Sequence, residues 1–131
     1  MTEPKIRDYF LELIPAKELV KVDKSKSEKK MAYWKEVEMI QEGEFIITPK
    51  HLLAICDDVL NGNLKLHHMT TLSLIAIGSD YFVWDMEDNG GHKVGEVLDE
   101  WCNPTINYPI TLPNVVQWKN YLLNREREMK L

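Results

Sequence analysis

Prolines border most of the stretches in which apolar residues recur at helical spacing, and this confines the chain to short helices joined by non-helical turns. Residues 5–14, KIRDYFLELI, carry Ile6, Tyr9, Phe10, Leu13 and Ile14 on one helical face, and Pro15 follows. Thr48-Pro49 has the form of an N-cap followed by the helical position that favours proline. It opens a helix over 49–60 with Leu52, Ile55, Cys56, Val59 and Leu60 buried, closed by Asn61-Gly62. Val94, Val97, Leu98, Trp101 and Cys102 define another helix that ends before Pro104. Pro113 begins a last one, with Val115, Val116, Trp118, Leu122 and Leu123 as its apolar stripe.

Between these segments the pattern is less regular. Tyr33, Trp34, Val37 and Ile40 predict a further helix stopped by Gly43, and Thr70 or Thr71 opens the run TLSLIAIGSDYFVW. That run is apolar on nearly every side, which predicts a helix through the centre of the fold. Residues 16–30 are rich in lysine and serine and read as an exposed connector, NPTINYPIT as an extended linker, and 125–131 as a frayed tail. The expected architecture is all-α: one compact domain over 1–131, a bundle of five or six helices with room for a minor extended segment. A length of 131 residues and an apolar fraction of 44% suit one hydrophobic core.

Charge narrows the functional classes. The net charge of -5 disfavours a polyanion such as nucleic acid as partner, and the helix pair 49–60 and 70–84 lacks the short turn and the basic recognition helix of a DNA reader. The N-terminus MTEPKIRDYF has no signal-peptide pattern and no apolar run is long enough to span a bilayer, so a cytoplasmic protein without membrane attachment is expected. Cys56 and Cys102 fall in apolar helical patterns, as reduced structural thiols do. No nucleophile elbow, metal-ligand spacing or carboxylate pair stands out, and the adjacent His67 and His68 point too far apart to chelate together, so no enzyme activity, metal or cofactor is expected.

The stretch from Asp85 to Glu96, DMEDNGGHKVGE, admits two readings. Asp85, Glu87, Asn89 and Glu96 stand at the first, third, fifth and twelfth places and Gly90 at the sixth, as in the calcium loop of a single EF-hand. Glu87 is long for the third place, His92 is foreign to the eighth, and no second such loop exists, which favours a Gly-Gly turn between helices. Seven acids against one lysine lie between Asp80 and Glu100. Of these, Asp85, Glu87, Asp88, Glu96, Asp99 and Glu100 are expected to form one acidic face that meets a basic protein partner.

A small, acidic helical chain with one charged patch, and with segments such as SDYFVWD and EWCNPTINYPIT, resembles in character the immunity proteins that bacteria keep against toxins of contact-dependent inhibition and other polymorphic systems. The resemblance implies a non-enzymatic binding module whose acidic side chains cover the basic cleft of a toxin domain. A calcium-responsive domain and a subunit of a larger bacterial complex are the alternatives.

Overall fold

Three of the helices begin with one device, a threonine N-cap with a proline in the first turn: Thr2 before Pro4, Thr48 before Pro49 and Thr111 before Pro113. The threonine backbone stays extended while proline supplies a helical φ where no N–H partner is needed. The computed structural model describes residues 1–22 and 39–131. Among them are α1 (Glu3–Phe10), α2 (Ala16–Leu19), β1 (Phe45–Ile46), α3 (Pro49–Leu60), α4 (Leu66–Ile77), β2 (Phe82–Val83), α5 (Asn89–Cys102) and α6 (Leu112–Leu122). The helix expected around Tyr33, Trp34 and Val37 lies outside the described residues.

The fold is an all-α bundle with one two-stranded sheet, in which Phe45 pairs with Phe82 and Ile46 with Val83 in parallel. Helix α5 is the hub: it packs against α3, α4 and α6, while α3 also lies along α6. Val94, Val97, Leu98 and Trp101 of α5 are sealed against Leu52, Ile55, Met69, Leu72, Val115 and Trp118, in one continuous core. Phe10, Phe45, Phe82 and His51 form an aromatic cluster that joins α1 to the sheet. No helix among the described residues is long and apolar enough to cross a membrane.

Helices α1, α3 and α6 also end alike. Glu12, Gly62 and Asn124 take left-handed backbone angles with φ of 61°, 81° and 62°. In each case the residue after it donates its N–H back into the helix: Leu13 to Asp8 O at 2.8 Å, Asn63 to Asp58 O at 2.8 Å, Arg125 to Asn120 O at 2.8 Å. This is the Schellman termination, and it requires the left-handed residue.

Several expectations are corrected. Helix α1 stops at Phe10 and does not reach Ile14, because the Schellman turn at Glu12 reverses the chain and leaves Leu13 exposed. Helix α4 starts at Leu66, before Thr70, because the His68 ring accepts the Lys65 N–H at 2.9 Å and caps the earlier turn. It lies at the surface, with Leu74 and Ile77 exposed, and YFVW leaves it to supply β2. The connector 16–30 opens with a helical turn whose Ala16 and Leu19 are buried; residues 23–30 lie outside the described residues.

The tail 125–131 is not frayed. Glu128 N–H donates to Gln117 Oε1 at 2.8 Å, Lys130 N–H to Asn114 Oδ1 at 2.9 Å, and Met129 packs against the core. Tertiary hydrogen bonds hold a segment that has no secondary structure of its own.

Candidate acidic surface and its charge network

The twelve residues from Asp85 to Glu96 do not form a loop. Asp85 Oδ1 accepts the Glu87 N–H at 3.0 Å in a tight turn, Asp88 caps α5 by accepting the Gly91 N–H at 3.1 Å, and everything from Asn89 onward is helix. Gly90, the sixth place of the calcium pattern, lies inside the first turn of α5 and lacks the positive φ found at Gly43 and Gly62. Glu96, the twelfth place, faces α6, where its carboxylate accepts the Tyr121 hydroxyl. The EF-hand wrap is therefore absent, and no group of three or more histidine, cysteine or acidic side chains among the described residues could hold a metal ion.

The glycines of this stretch have a packing role. A Cβ on Gly91 would lie 1.9 Å from the Asp85 carbonyl oxygen, and one on Gly95 would lie 2.6 Å from Met86 Sδ and 2.7 Å from Trp84 Nε1. Spaced one helical turn apart, they open a channel on α5 in which the segment 84–86 is pressed against the helix backbone. The turn Asp85–Asp88 is thereby fixed at the surface, with Asp85, Glu87 and Asp88 exposed around a half-exposed Met86.

The expected acidic face divides in two. Asp85, Glu87, Asp88 and Asp99 are exposed and have no ion-pair partner among the described residues. Glu100 is buried, which corrects its place on the acidic face, and Glu96 is half-buried. Arg127 grips Glu100 with two parallel bonds, Nη1 to Oε1 at 2.6 Å and Nη2 to Oε2 at 3.0 Å, and Glu96 Oε1 lies 3.8 Å from the same guanidinium. Trp118 Nε1 donates to Glu100 Oε1 at 2.9 Å. The guanidinium carbon stands 4.2 Å above the Tyr121 ring, with Tyr108 5.9 Å away, and Lys93 Nζ covers the Tyr121 ring at 4.5 Å.

Titration follows from this packing. Burial alone would lower the pKa of Arg127, but the bonds to Glu100 and the charges of Glu100 and Glu96 prevail and raise it, so the group is a permanent cation. Burial, then the bond to Glu96, pushes the Tyr121 phenol up to about 12. These acids are therefore matched within the molecule and are not available as free surface charge.

Several other titratable side chains have partners within the fold. Burial and the neighbouring Asp57 push the Cys56 thiol up to about 12, which keeps it a protonated, unreactive group. Asp57 pairs with Lys119 at 2.6 Å, and Asp58 accepts the Tyr9 hydroxyl and, at 3.1 Å, Asn63 Nδ2. His51 and His68 each accept the N–H of their helix's N-cap residue, at 2.9 Å in both cases. An open cleft of about 630 Å³ lies beside Tyr9 and Asp58, with Glu12, Leu13, Lys17 and Ala54 among its walls.

Comparison with known proteins gives no relative: no family model, no curated protein and no solved structure matches this chain.

Proposed function

We propose that this protein is a non-enzymatic binding module that captures a basic protein partner, and that the partner is a bacterial toxin domain which it neutralises as an immunity protein. The observation that carries the reading is the rigid turn Asp85–Asp88. It holds three exposed carboxylates around an exposed methionine, with no compensating cation among the described residues. Methionine surrounded by charge has the composition of a small interface, with an adaptable apolar centre and a polar rim that steers approach. The channel at Gly91 and Gly95 preorganises the turn, so little conformational freedom is lost on docking. Asp99, exposed on α5, extends the charged surface.

The test is the double reversal Glu87→Lys with Asp99→Lys. Neither side chain makes a hydrogen bond or ion pair among the described residues, so folding stability should change by less than about 0.5 kcal/mol. Capture of a basic toxin domain encoded beside the gene should fail. In the wild type the association rate should fall with added salt, as it does for steered encounters. A double variant that binds and protects cells as well as the wild type would reduce the acidic turn to a solubility feature.

A further inference from the structure

Residues 125–131 lie on the protein in the manner of a bound peptide. From Glu126 to Lys130 exposure alternates: Arg127 and Met129 face inward, while Glu126, Glu128 and Lys130 face solvent. That is the period of an extended strand. The backbone is read by side chains. The fully buried Asn114 carboxamide takes the Lys130 N–H on Oδ1 at 2.9 Å and gives Nδ2 to Lys130 O at 2.7 Å, and Gln117 Oε1 takes the Glu128 N–H. Asn114 Nδ2 is itself oriented by Pro109 O at 2.9 Å. Two residues upstream of Met129, the Arg127 guanidinium enters the cage of Glu100, Glu96, Tyr121 and Tyr108.

We infer that this groove is a recognition site for an extended, arginine-bearing segment of another protein, and that the protein's own tail occupies it in its place. Each element of such a site is present. A bidentate carboxylate matches the planar guanidinium in a way that lysine cannot reproduce, aromatic faces stack on it, and a side-chain amide binds the main chain whatever the sequence. Glu100 and Glu96 both face the Arg127 guanidinium and lose it when the tail departs, so the emptied cage selects for a cation. The tail leaves α6 at the left-handed Asn124, whose Oδ1 accepts Lys93 Nζ at 2.7 Å, and beyond it the chain has no helix or strand to break on departing. Because it is tethered, it competes at an effective concentration of roughly millimolar, which masks the groove until a stronger arginine-bearing segment displaces it. The groove is separate from the exposed acids of the 85–88 turn and does not depend on them.

The probe is a fluorescent peptide with the sequence of residues 124–131, titrated into the chain of residues 1–131. Wild type is compared with Arg127→Ala and with Met129→Ala/Lys130→Pro, which removes the apolar anchor and the N–H read by Asn114. Both loosened variants should bind the peptide at least about tenfold more tightly than wild type, since tail competition is relieved. An Arg127→Lys peptide should lose at least about tenfold. Binding should survive in Glu87→Lys/Asp99→Lys, which separates this site from the acidic turn. Arg127→Ala strands a buried carboxylate; if it does not fold, the Met129→Ala/Lys130→Pro chain, checked by its helical circular dichroism, decides alone. The inference is overturned if that folded chain binds no more tightly than wild type, or if the lysine peptide binds equally well. It is also overturned, in favour of tail exchange between copies, if the loosened chains form a concentration-dependent dimer that the peptide cannot enter.

Discussion

Trp101 and Trp118 meet edge to face in the core, their ring centroids 6.0 Å apart and their planes at 87°, yet among the described residues only one of them has a partner for its indole N–H. Trp118 donates to Glu100, whereas Trp101 Nε1 is buried with no acceptor among the described residues. Replacement by phenylalanine removes similar volume at both sites with opposite polar consequences. Trp101→Phe relieves an unsatisfied donor; Trp118→Phe withdraws a hydrogen bond from a buried carboxylate. Trp118→Phe should therefore be the more destabilising by about 1–3 kcal/mol in urea unfolding. Equal losses would show that the Glu100 bond contributes nothing.

Gly91→Ala should destabilise although alanine is the better helix former. The propensity gain is about 1 kcal/mol. Against it stands a Cβ 1.9 Å from the Asp85 carbonyl, and a backbone atom cannot rotate away, so a penalty of roughly 3 kcal/mol is expected. Gly95→Ala meets only the side chains of Met86 and Trp84 and should cost less. Denaturation midpoints of the two variants order them directly; a stabilised Gly91→Ala would refute the packed channel.

Glu12→Gly should raise stability. Glu12 holds a left-handed conformation that costs a residue with a Cβ about 1–2 kcal/mol, and Gly62 fills the equivalent place after α3 without that cost. Glycine's greater freedom in the unfolded chain takes back part of the gain, leaving about 1 kcal/mol. A thermal midpoint that does not rise would mean that Glu12 makes compensating interactions at the rim of the Tyr9–Asp58 cleft.

Stability should fall as the solution is acidified from neutrality. Burial lowers the pKa of His51 and His68 below 6.5, with Lys50 adding to the effect at His51 and His67 and Lys65 at His68. The unfolded chain then binds more protons than the folded one between the lowered values and 6.5, so stability is complete above about pH 6.5 and is lost as pH drops through the folded values. Protonation also removes the ring lone pair that accepts the N-cap N–H. Glutamine at these positions retains an acceptor three residues into the helix without titrating. His51→Gln/His68→Gln should flatten the stability profile between pH 7 and 5; an unchanged slope would assign it to other groups.

Local signals made much of this architecture legible. Thr48-Pro49 and helical periodicity place α3 at its observed bounds and identify buried residues of α5 and α6, including Trp101 and Leu122, although Val116 and Leu123 of the expected α6 stripe are exposed. What escaped depends on tertiary partners. Glu100 lies only about 60° around the helix from Val97, at the edge of the apolar stripe, where burial depends on whether a cation covers it. That cation is Arg127, in a stretch with no helical apolar periodicity. The same acids and glycines that suggest calcium are explained by a capped helix and a close backbone crossing, features that a linear pattern does not distinguish from ion ligation.

The parallel pairing of Phe45 with Phe82 has a consequence for the order of events in folding. Its partners are separated in sequence by α3 and α4, and closing so long a loop is rewarded by a ladder of only two residue pairs, with Phe45 N–H to Tyr81 O and Ile47 N–H to Val83 O at its ends. The helices α4 and α5, neighbours in sequence and in contact, can associate earlier. The sheet is thus a late latch that reports completion: in native-state hydrogen exchange, the Phe45 and Ile47 amides should lose protection while those of α5 are still held.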